Sequence, residues 1–392
     1  MTIEIDAIEP SPHSGGAHGY AIDGPRPGDR PDGDGFEIDG WVLGRGGPVG
    51  AIEVALGDEI RCRVPVARER PDVAAAYAEQ PWAAGAGFRG WVPTLGLPAS
   101  FVLDIRGLLA DGDQAPLAKL RGHHAADDFS MAATDAEGWR GPDFIVIGAQ
   151  RSGSTSLYRY LTQHPLVAPA ATKEVKYFSY FHDRPWGWYR RQFPPTLPPN
   201  GLTGEATPYY LFHPHAARRI REQAPNARLI TVLRNPVDRA YSHYLHERRR
   251  GTEFLSFEEA LAREDSRLSG EEAKMVADEG YASLAHQNFS YQARGRYAEQ
   301  LRRWLAHVPR DRLLVVRSED LYADPVAALD EVTTFLDLPP VALTEAVPHN
   351  QARYPPMRRQ TRTDLEAEFA SSNDDLRQML GDRFTWTGAG ST

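Results

Sequence analysis

From residue 143 onward, apolar positions fall in short unbroken runs, at 144–147, 229–233 and 313–316, rather than alternating with polar ones. Between these runs apolar residues recur at helical spacing over 155–163, 214–224, 237–249, 291–307 and 326–336. Strands that are apolar on both faces and separated by helices predict an α/β fold, a parallel sheet flanked by helices. The chain before this region has a different texture. From 36 to 121, short runs such as Trp41-Val42-Leu43, Ile52-Glu53-Val54-Ala55-Leu56 and Phe101-Val102-Leu103-Asp104-Ile105 are broken by Gly, Pro and Asp. Several alternate with period two, which predicts a small antiparallel, β-sandwich-like domain interrupted by a short helix at 72–78. Residues 1–35, rich in Gly, Pro, Asp and His, read as a flexible leader with one early strand at most. The polar stretch 122–142 reads as a linker, and its His123 and His124 have no partners at ligand spacing. The expected organisation is therefore a leader (1–35), a β-rich accessory domain (36–121), a linker (122–142) and an α/β domain (143–392). There is no internal repeat.

Composition narrows the class. The 392 residues are 41% hydrophobic and 25% charged, as in an ordinary globular protein long enough for two domains. No apolar run approaches the roughly 18 residues that a membrane-spanning helix needs, and residues 1–6 lack the basic and apolar regions of a secretory signal. A single cysteine, Cys62, allows no internal disulfide and no multi-cysteine metal site; it reads as a small buried strand residue. Together these features lead to a cytoplasmic expectation. A net charge of −9 argues against nucleic acid as a partner. Any anion must be gripped locally, so basic residues in loops carry more information than the total.

The strongest local signal is the apolar run 144–147 followed by Gly148-Ala149-Gln150-Arg151-Ser152-Gly153-Ser154-Thr155-Ser156. A buried strand enters a loop of glycines and hydroxyls and leaves as a helix, with the two glycines spaced as in a phosphate-binding loop. Such a loop turns backbone N–H groups inward, and the helix N-terminus adds partial positive charge. The lysine that a nucleotide-triphosphate loop carries after its second glycine is absent, since Ser154 stands there; a cation instead lies within the loop, at Arg151. A second constellation ends the run 229–233 with Arg234-Asn235-Pro236 and places Ser242 two helical turns past Arg234. Arg234 falls at a strand's C-terminal end, where open α/β sheets bind ligands, and Pro236 suits a first helical turn.

Taken together, these motifs resemble those of sulfotransferases that use 3′-phosphoadenosine 5′-phosphosulfate (PAPS), and the likeness extends from about 143 to 386. The resemblance implies the P-loop-like sulfotransferase fold. It also makes the first loop, Arg151, Ser152, Gly153, Ser154, Thr155 and Ser156, the 5′-phosphosulfate site. Arg234 and Ser242 become ligands of the 3′-phosphate. Segments around Gly295-Arg296-Tyr297, Glu319-Asp320-Leu321, and from His349-Asn350 through Tyr354 to Arg358-Arg359 also resemble family members. There a basic loop closes over the nucleotide, with Arg358 and Arg359 the candidates here. The segment Lys173-Glu174-Val175-Lys176-Tyr177-Phe178 resembles one in heparan sulfate sulfotransferases whose Glu is the catalytic base, which points to Glu174.

Sulfuryl transfer needs a base at the acceptor and cations where charge grows on the bridging oxygen. Arg151 is the first candidate for the second task, with Lys173 and Lys176 assisting, and no metal is called for. One departure stands out: the family's Glu-Lys-Thr-Pro reads here Glu205-Ala206-Thr207-Pro208, without the lysine. Glu205 is the alternative base. Aromatics at 177–181, 186–189 and 209–210 suit either ring stacking or core packing, and Arg248-Arg249-Arg250 either an acidic acceptor or a helix C-terminus. The acceptor is expected to be a hydroxyl or amine of a carbohydrate or small molecule, with adenosine 3′,5′-bisphosphate as the other product. Two other classes stay open: a P-loop kinase or other NTPase, which would want the missing lysine, and a non-catalytic nucleotide- or glycan-binding protein.

Overall fold

A computed structural model describes residues 2–12, 15–31, 33–125, 138–343 and 355–386. The chain divides into two compact units: Met1–Asp127 with His246–Ser256 and Ala282–Phe289, and Asp128–Leu245 with Phe257–Tyr281 and Ser290–Thr392.

The first unit is an antiparallel sheet of eight strands: β1 (Ile3–Pro10), β2 (Ala17–Gly24), β3 (Gly35–Gly44), β4 (Val49–Leu56), β5 (Glu59–Arg68), β6 (Gly87–Pro93), β7 (Ser100–Leu109) and β8 (Gln114–His124). They are ordered β1-β8-β7-β4-β5-β6-β3-β2. Alternate residues, among them Ile5, Ile38, Ile52, Val54, Val64, Phe88, Leu103 and Leu117, point into one core, as the period-two pattern requires. The strands form one continuous ladder rather than two stacked sheets. The Tyr20 hydroxyl on β2 donates to the Leu117 carbonyl on β8, drawing the two ends of the ladder together. A helix at Pro71–Ala76 matches the one expected near 72–78.

Two expectations are corrected in this unit. Residues 1–35, read as a leader, supply β1 and β2, with Ile3, Ile5 and Ala17 fully buried. Glycines and prolines there end strands rather than preventing them. The expected linker 122–142 begins inside β8, whose Gly122, His123 and His124 pair with Ile5, Glu4 and Ile3. His123 Nδ1 lies 2.8 Å from the Asp6 carboxylate. Cys62 is buried within β5, where burial pushes its thiol up to about 12. The turn after residue 245 belongs here too: the Arg63 N–H donates to the Gly251 carbonyl (2.7 Å), and the Arg63 guanidinium lies over the Phe254 ring. Arg248 donates to the Glu253 carbonyl, and Arg250 lies 4.0 Å from Asp34 and over Trp91, so this arginine run is engaged within the unit.

The second unit is built on five parallel strands, β9 (Phe144–Gly148), β10 (Val167–Pro169), β11 (Leu202–Ala206), β12 (Arg228–Leu233) and β13 (Leu313–Arg317), ordered β10-β11-β9-β12-β13. Along β9 and β12 successive apolar residues go to opposite faces. Ile145, Ile147, Leu229 and Leu233 join one core; Phe144, Val146, Ile230 and Val232 join the other. Each face is closed by helices, among them Tyr297–Leu305 on the first and Ser154–Leu161 and Pro325–Phe335 on the second. The unbroken apolar runs thus come from two cores sharing one sheet. The short strands β10 and β11 escape the pattern because they are brief and carry Thr, Gly and Glu.

The strand order places the functional segments. The chain leaves central β9 toward the β10 edge, returns along β11, then crosses to β12. The crevice outside the carboxyl ends of β9 and β12 is thus a topological switch point, the usual ligand site of such sheets.

Candidate functional site

The loop after β9 is shaped by sterics. A Cβ on Gly148 would stand 2.6 Å from Leu211 Cβ, a contact real side chains do not make. Gly153 has φ 105° and precedes the helix Ser154–Leu161, which no side chain caps. The first-turn N–H groups of a helix have no acceptor within it, so this end suits an anion. The Ser156 hydroxyl is buried without a hydrogen-bond partner among the described residues. Ser152 Oγ also lacks a hydrogen bond of ordinary geometry, although the Tyr297 phenol lies beside it. Glycines, an uncapped helix start and buried hydroxyls are the donor set a phosphate ester requires.

Arg151 inside this loop is left-handed (φ 69°), and so are Glu174 (65°) and Lys176 (58°). They are three of five such non-glycine residues among the described residues. Each conformation costs about 1–2 kcal/mol and persists only where surrounding contacts enforce it. Arg151 Nε donates to Ser242 Oγ at 3.2 Å. Arg234 Nη1 donates to the Arg151 carbonyl at 3.3 Å. Arg151, Arg234 and Ser242 therefore form one group at the carboxyl ends of β9 and β12. The helix that carries Ser242, Pro236–Arg250, opens with the Asn235 side chain accepting from the Val237 N–H, while the Asn235 N–H donates to Glu319.

Three contributors escaped the sequence reading. The Tyr297 hydroxyl donates to the Arg234 carbonyl at 2.9 Å. Arg294, buried and packed over the Tyr209 and Phe212 rings, donates to the Gln150 side chain beside Arg151. Tyr322 lies beside Gly153, its hydroxyl 3.1 Å from where a Cβ would stand. Tyr297 stood in a noticed segment without a role; nothing local marked Arg294 or Tyr322, which reach the loop from strand-distant positions.

The two candidate bases have opposite environments. Glu174 donates its N–H to the Ala206 carbonyl at the end of β11, and Ala206 pairs with Val146 on β9. This sets Glu174 beside the phosphate loop. Its carboxylate is 38% exposed and takes a 2.6 Å ion pair from Lys173. Lys176 is held through its N–H by the Thr207 hydroxyl. Glu205, by contrast, is fully buried. It accepts from Tyr189 and Tyr210 (2.9 Å each), Thr207 (2.5 Å) and the Val175 N–H (3.3 Å). Burial pushes its carboxyl above the ordinary value against the pull of these four donors. Both oxygens are committed, and the Val175 N–H ties the 174–176 segment to this carboxylate.

Ser154, Thr155 and Ser156 occupy the first turn of the loop helix as expected. Arg358 does not join the group. Its side chain is 78% exposed and its partner is Glu258, at 3.9 Å. The segment nevertheless rests on the Ser242 helix, because Tyr241 donates to the Pro355 carbonyl and Arg362 pairs with Asp238. The run 349–354 lies outside the described residues. Tyr177, Phe178, Tyr189 and Tyr210 are buried against one another, so these aromatics serve as core. Tyr180 and Tyr209 stack at 5.3 Å.

A strand–loop–helix segment meets an arginine and a serine from the next strand and its helix at the switch point of a parallel sheet. The family model for the sulfotransferase domain matches residues 141–371, more than half of the chain, and the chain belongs to that family of transferase enzymes. A sulfotransferase of Alicyclobacillus acidocaldarius has a solved structure that is 30% identical; the match covers 62% of this chain and 96% of that one, with a TM-score of 0.51. The membrane-associated sulfotransferase kil1 of Dictyostelium discoideum is 29% identical over 315 residues, 62% of this chain and 66% of that protein. The bifunctional heparan sulfate N-deacetylase/N-sulfotransferase 3 of Homo sapiens is 30% identical over 272 residues, 61% of this chain and 30% of that protein. The chain thus spans under two thirds of the length of these curated relatives. Among the described residues no helix is long and apolar enough to cross a membrane.

Proposed function

We propose that this chain transfers the sulfuryl group of PAPS to a hydroxyl or amine of a carbohydrate or carbohydrate-bearing small molecule. The observation that carries the reading is the meeting of Arg151, Arg234 and Ser242, two motifs some 90 residues apart that converge on one crevice. Two guanidiniums there suit a nucleotide with phosphates at both ends. The donor supplies the sulfuryl group. The acceptor oxygen or nitrogen attacks sulfur as the bond from sulfur to the bridging phosphate oxygen breaks, releasing adenosine 3′,5′-bisphosphate. Arg151 and the first-turn N–H groups of 154–156 stabilise the charge that grows on that oxygen. Glu174, exposed beside the loop and paired with Lys173, takes the acceptor's proton. The carbohydrate part of the reading draws on the heparan sulfate relatives named above. Cytoplasmic location belongs to the proposal as well, and cell fractionation tests it.

The test is isothermal titration with adenosine 3′,5′-bisphosphate and with ADP, for the wild type and Arg234→Ala. The expected result is a wild type that prefers the 3′-phosphate nucleotide, with at least tenfold weaker binding in the variant. Equal binding of both nucleotides, or an indifferent variant, would overturn the donor assignment.

A further inference from the structure

Near the arginine–serine group lies a cation that the proposed chemistry does not use. Arg239 sits three residues before Ser242 on the helix Pro236–Arg250, so the two side chains share a helix face. It is 0% exposed. Its Nη2 donates to the Tyr291 carbonyl, while Nε and Nη1 have no hydrogen-bond partner among the described residues. The titratable groups in its electrostatic reach include Tyr297, Arg294, Glu264 and Arg234. The Glu264 carboxylate is committed to the N–H groups of Gln292 and Ala293, at 2.7–2.9 Å. Tyr297 and Arg234 are already joined to each other, and Arg294 to Gln150.

A buried guanidinium without a carboxylate partner is costly, because it gives up its hydration without a compensating anion. Burial lowers its pKa to about 10; Arg294 and Arg234 push the same way, while Tyr297 and Glu264 pull against it. Such a group is rare in a folded interior. Here it lies about one helical turn before Ser242 and within electrostatic reach of Arg234.

We propose that Arg239 is the specificity-determining residue of this subsite: a buried positive charge, one helical turn before Ser242, that selects nucleotides bearing a dianionic 3′-phosphate over those with a free 3′-hydroxyl. The inference rests on the donor reading given above. Arg239 acts through space rather than by ligation. In a buried setting with effective dielectric near 20, a charge pair a few ångström apart changes affinity by roughly tenfold or more. A neutral 3′-hydroxyl gains nothing from the same charge, so the effect falls on discrimination between nucleotides. It is also poorly screened by salt, since the group is buried.

The experiment compares wild type, Arg239→Gln and Arg239→Lys by isothermal titration with adenosine 3′,5′-bisphosphate and adenosine 5′-monophosphate, alongside melting temperatures without ligand. Glutamine keeps a donor for the Tyr291 carbonyl and removes the charge; lysine keeps the charge. The expected result is that R239Q loses tenfold or more of the preference for the 3′-phosphate, while its affinity for the monophosphate changes by less than about threefold. R239K retains most of the preference. Ligand-free R239Q melts close to the wild-type temperature, since relief of the guanidinium's burial offsets the lost attraction to Glu264. Equal weakening of both nucleotides together with a lower melting temperature would make Arg239 a structural residue and refute the proposal. An unchanged preference in R239Q refutes it as well. A wild type without any 3′-phosphate preference strikes instead at the donor reading on which it rests.

Discussion

Replacing each of two neighbouring glutamates should break different properties of the protein. Glu205→Ala removes a carboxylate that accepts four hydrogen bonds, from Tyr189, Tyr210, Thr207 and the Val175 N–H, in a site with no exposure. Breaking such a buried, charge-assisted network costs about 3–5 kcal/mol, because the donors left behind have neither partner nor water. For a unit of this size each kcal/mol lowers the melting temperature by about 2–4 °C, so a fall of roughly 6–20 °C is expected. Glu174→Gln loses only a half-exposed pair with Lys173, worth about 0–1 kcal/mol. Its melting temperature should move by no more than about 4 °C. Turnover should reverse the order. Without its base, E174Q should drop in kcat by about 10²–10⁴-fold with nucleotide affinity unchanged. The milder E205Q, assayed below its melting temperature, should retain more activity than E174Q. Circular dichroism melts, nucleotide titration and a sulfate-transfer assay on the same preparations decide the matter. An E205Q that melts like the wild type yet is inactive, beside an E174Q that turns over normally, would show that the base has been assigned to the wrong residue.

The loop geometry makes a steric prediction. Gly148→Ala drives a Cβ to 2.6 Å from Leu211 Cβ, so it should cost about 1–3 kcal/mol and raise the KM for the donor, measured by melts and initial rates. The raised pKa of Glu205 gives a pH dependence. A carboxyl whose folded value exceeds its unfolded one contributes stability that is present below the unfolded pKa and lost as pH rises through the folded one. The melting advantage of wild type over E205Q should therefore shrink as pH rises from 4 upward; an advantage that grows with pH would contradict the assignment. Finally, deleting residues 2–24 removes β1 and β2 with the buried Ile3, Ile5 and Ala17, and should leave the β unit unfolded by near-ultraviolet dichroism. A true leader would be dispensable.

Much of the α/β unit was legible because burial on both faces leaves an unmistakable trace. Runs such as 144–147 and 229–233 must supply two cores at once, so both are almost wholly apolar, with Thr231 their single polar residue. The phosphate loop was equally legible, since Gly148 and Gly153 are demanded by close approach and a left-handed turn. Strands β1 and β2 were not. Their burial depends on partners more than 90 residues away in one case and on a curled sheet edge in both. Short-range Gly and Pro content outweighed that signal. The choice between core packing and ring stacking for the aromatics likewise had no answer in their spacing.

By itself the sequence determined the parallel sheet, the glycine- and hydroxyl-rich loop and the second arginine–serine motif, because each rests on residues within about one strand and one helix of each other; the candidates Glu174 and Glu205 came from the family resemblance. Tertiary structure decided what those candidates do. It buried Glu205 among four donors and left Glu174 open at the loop, it joined Arg151 to Ser242 and Arg234, and it turned Arg358 toward Glu258. It also buried Arg239 with its Nε and Nη1 unpaired among the described residues. Burial and through-space charge depend on what long-range packing brings alongside a side chain, and no local pattern carries that information.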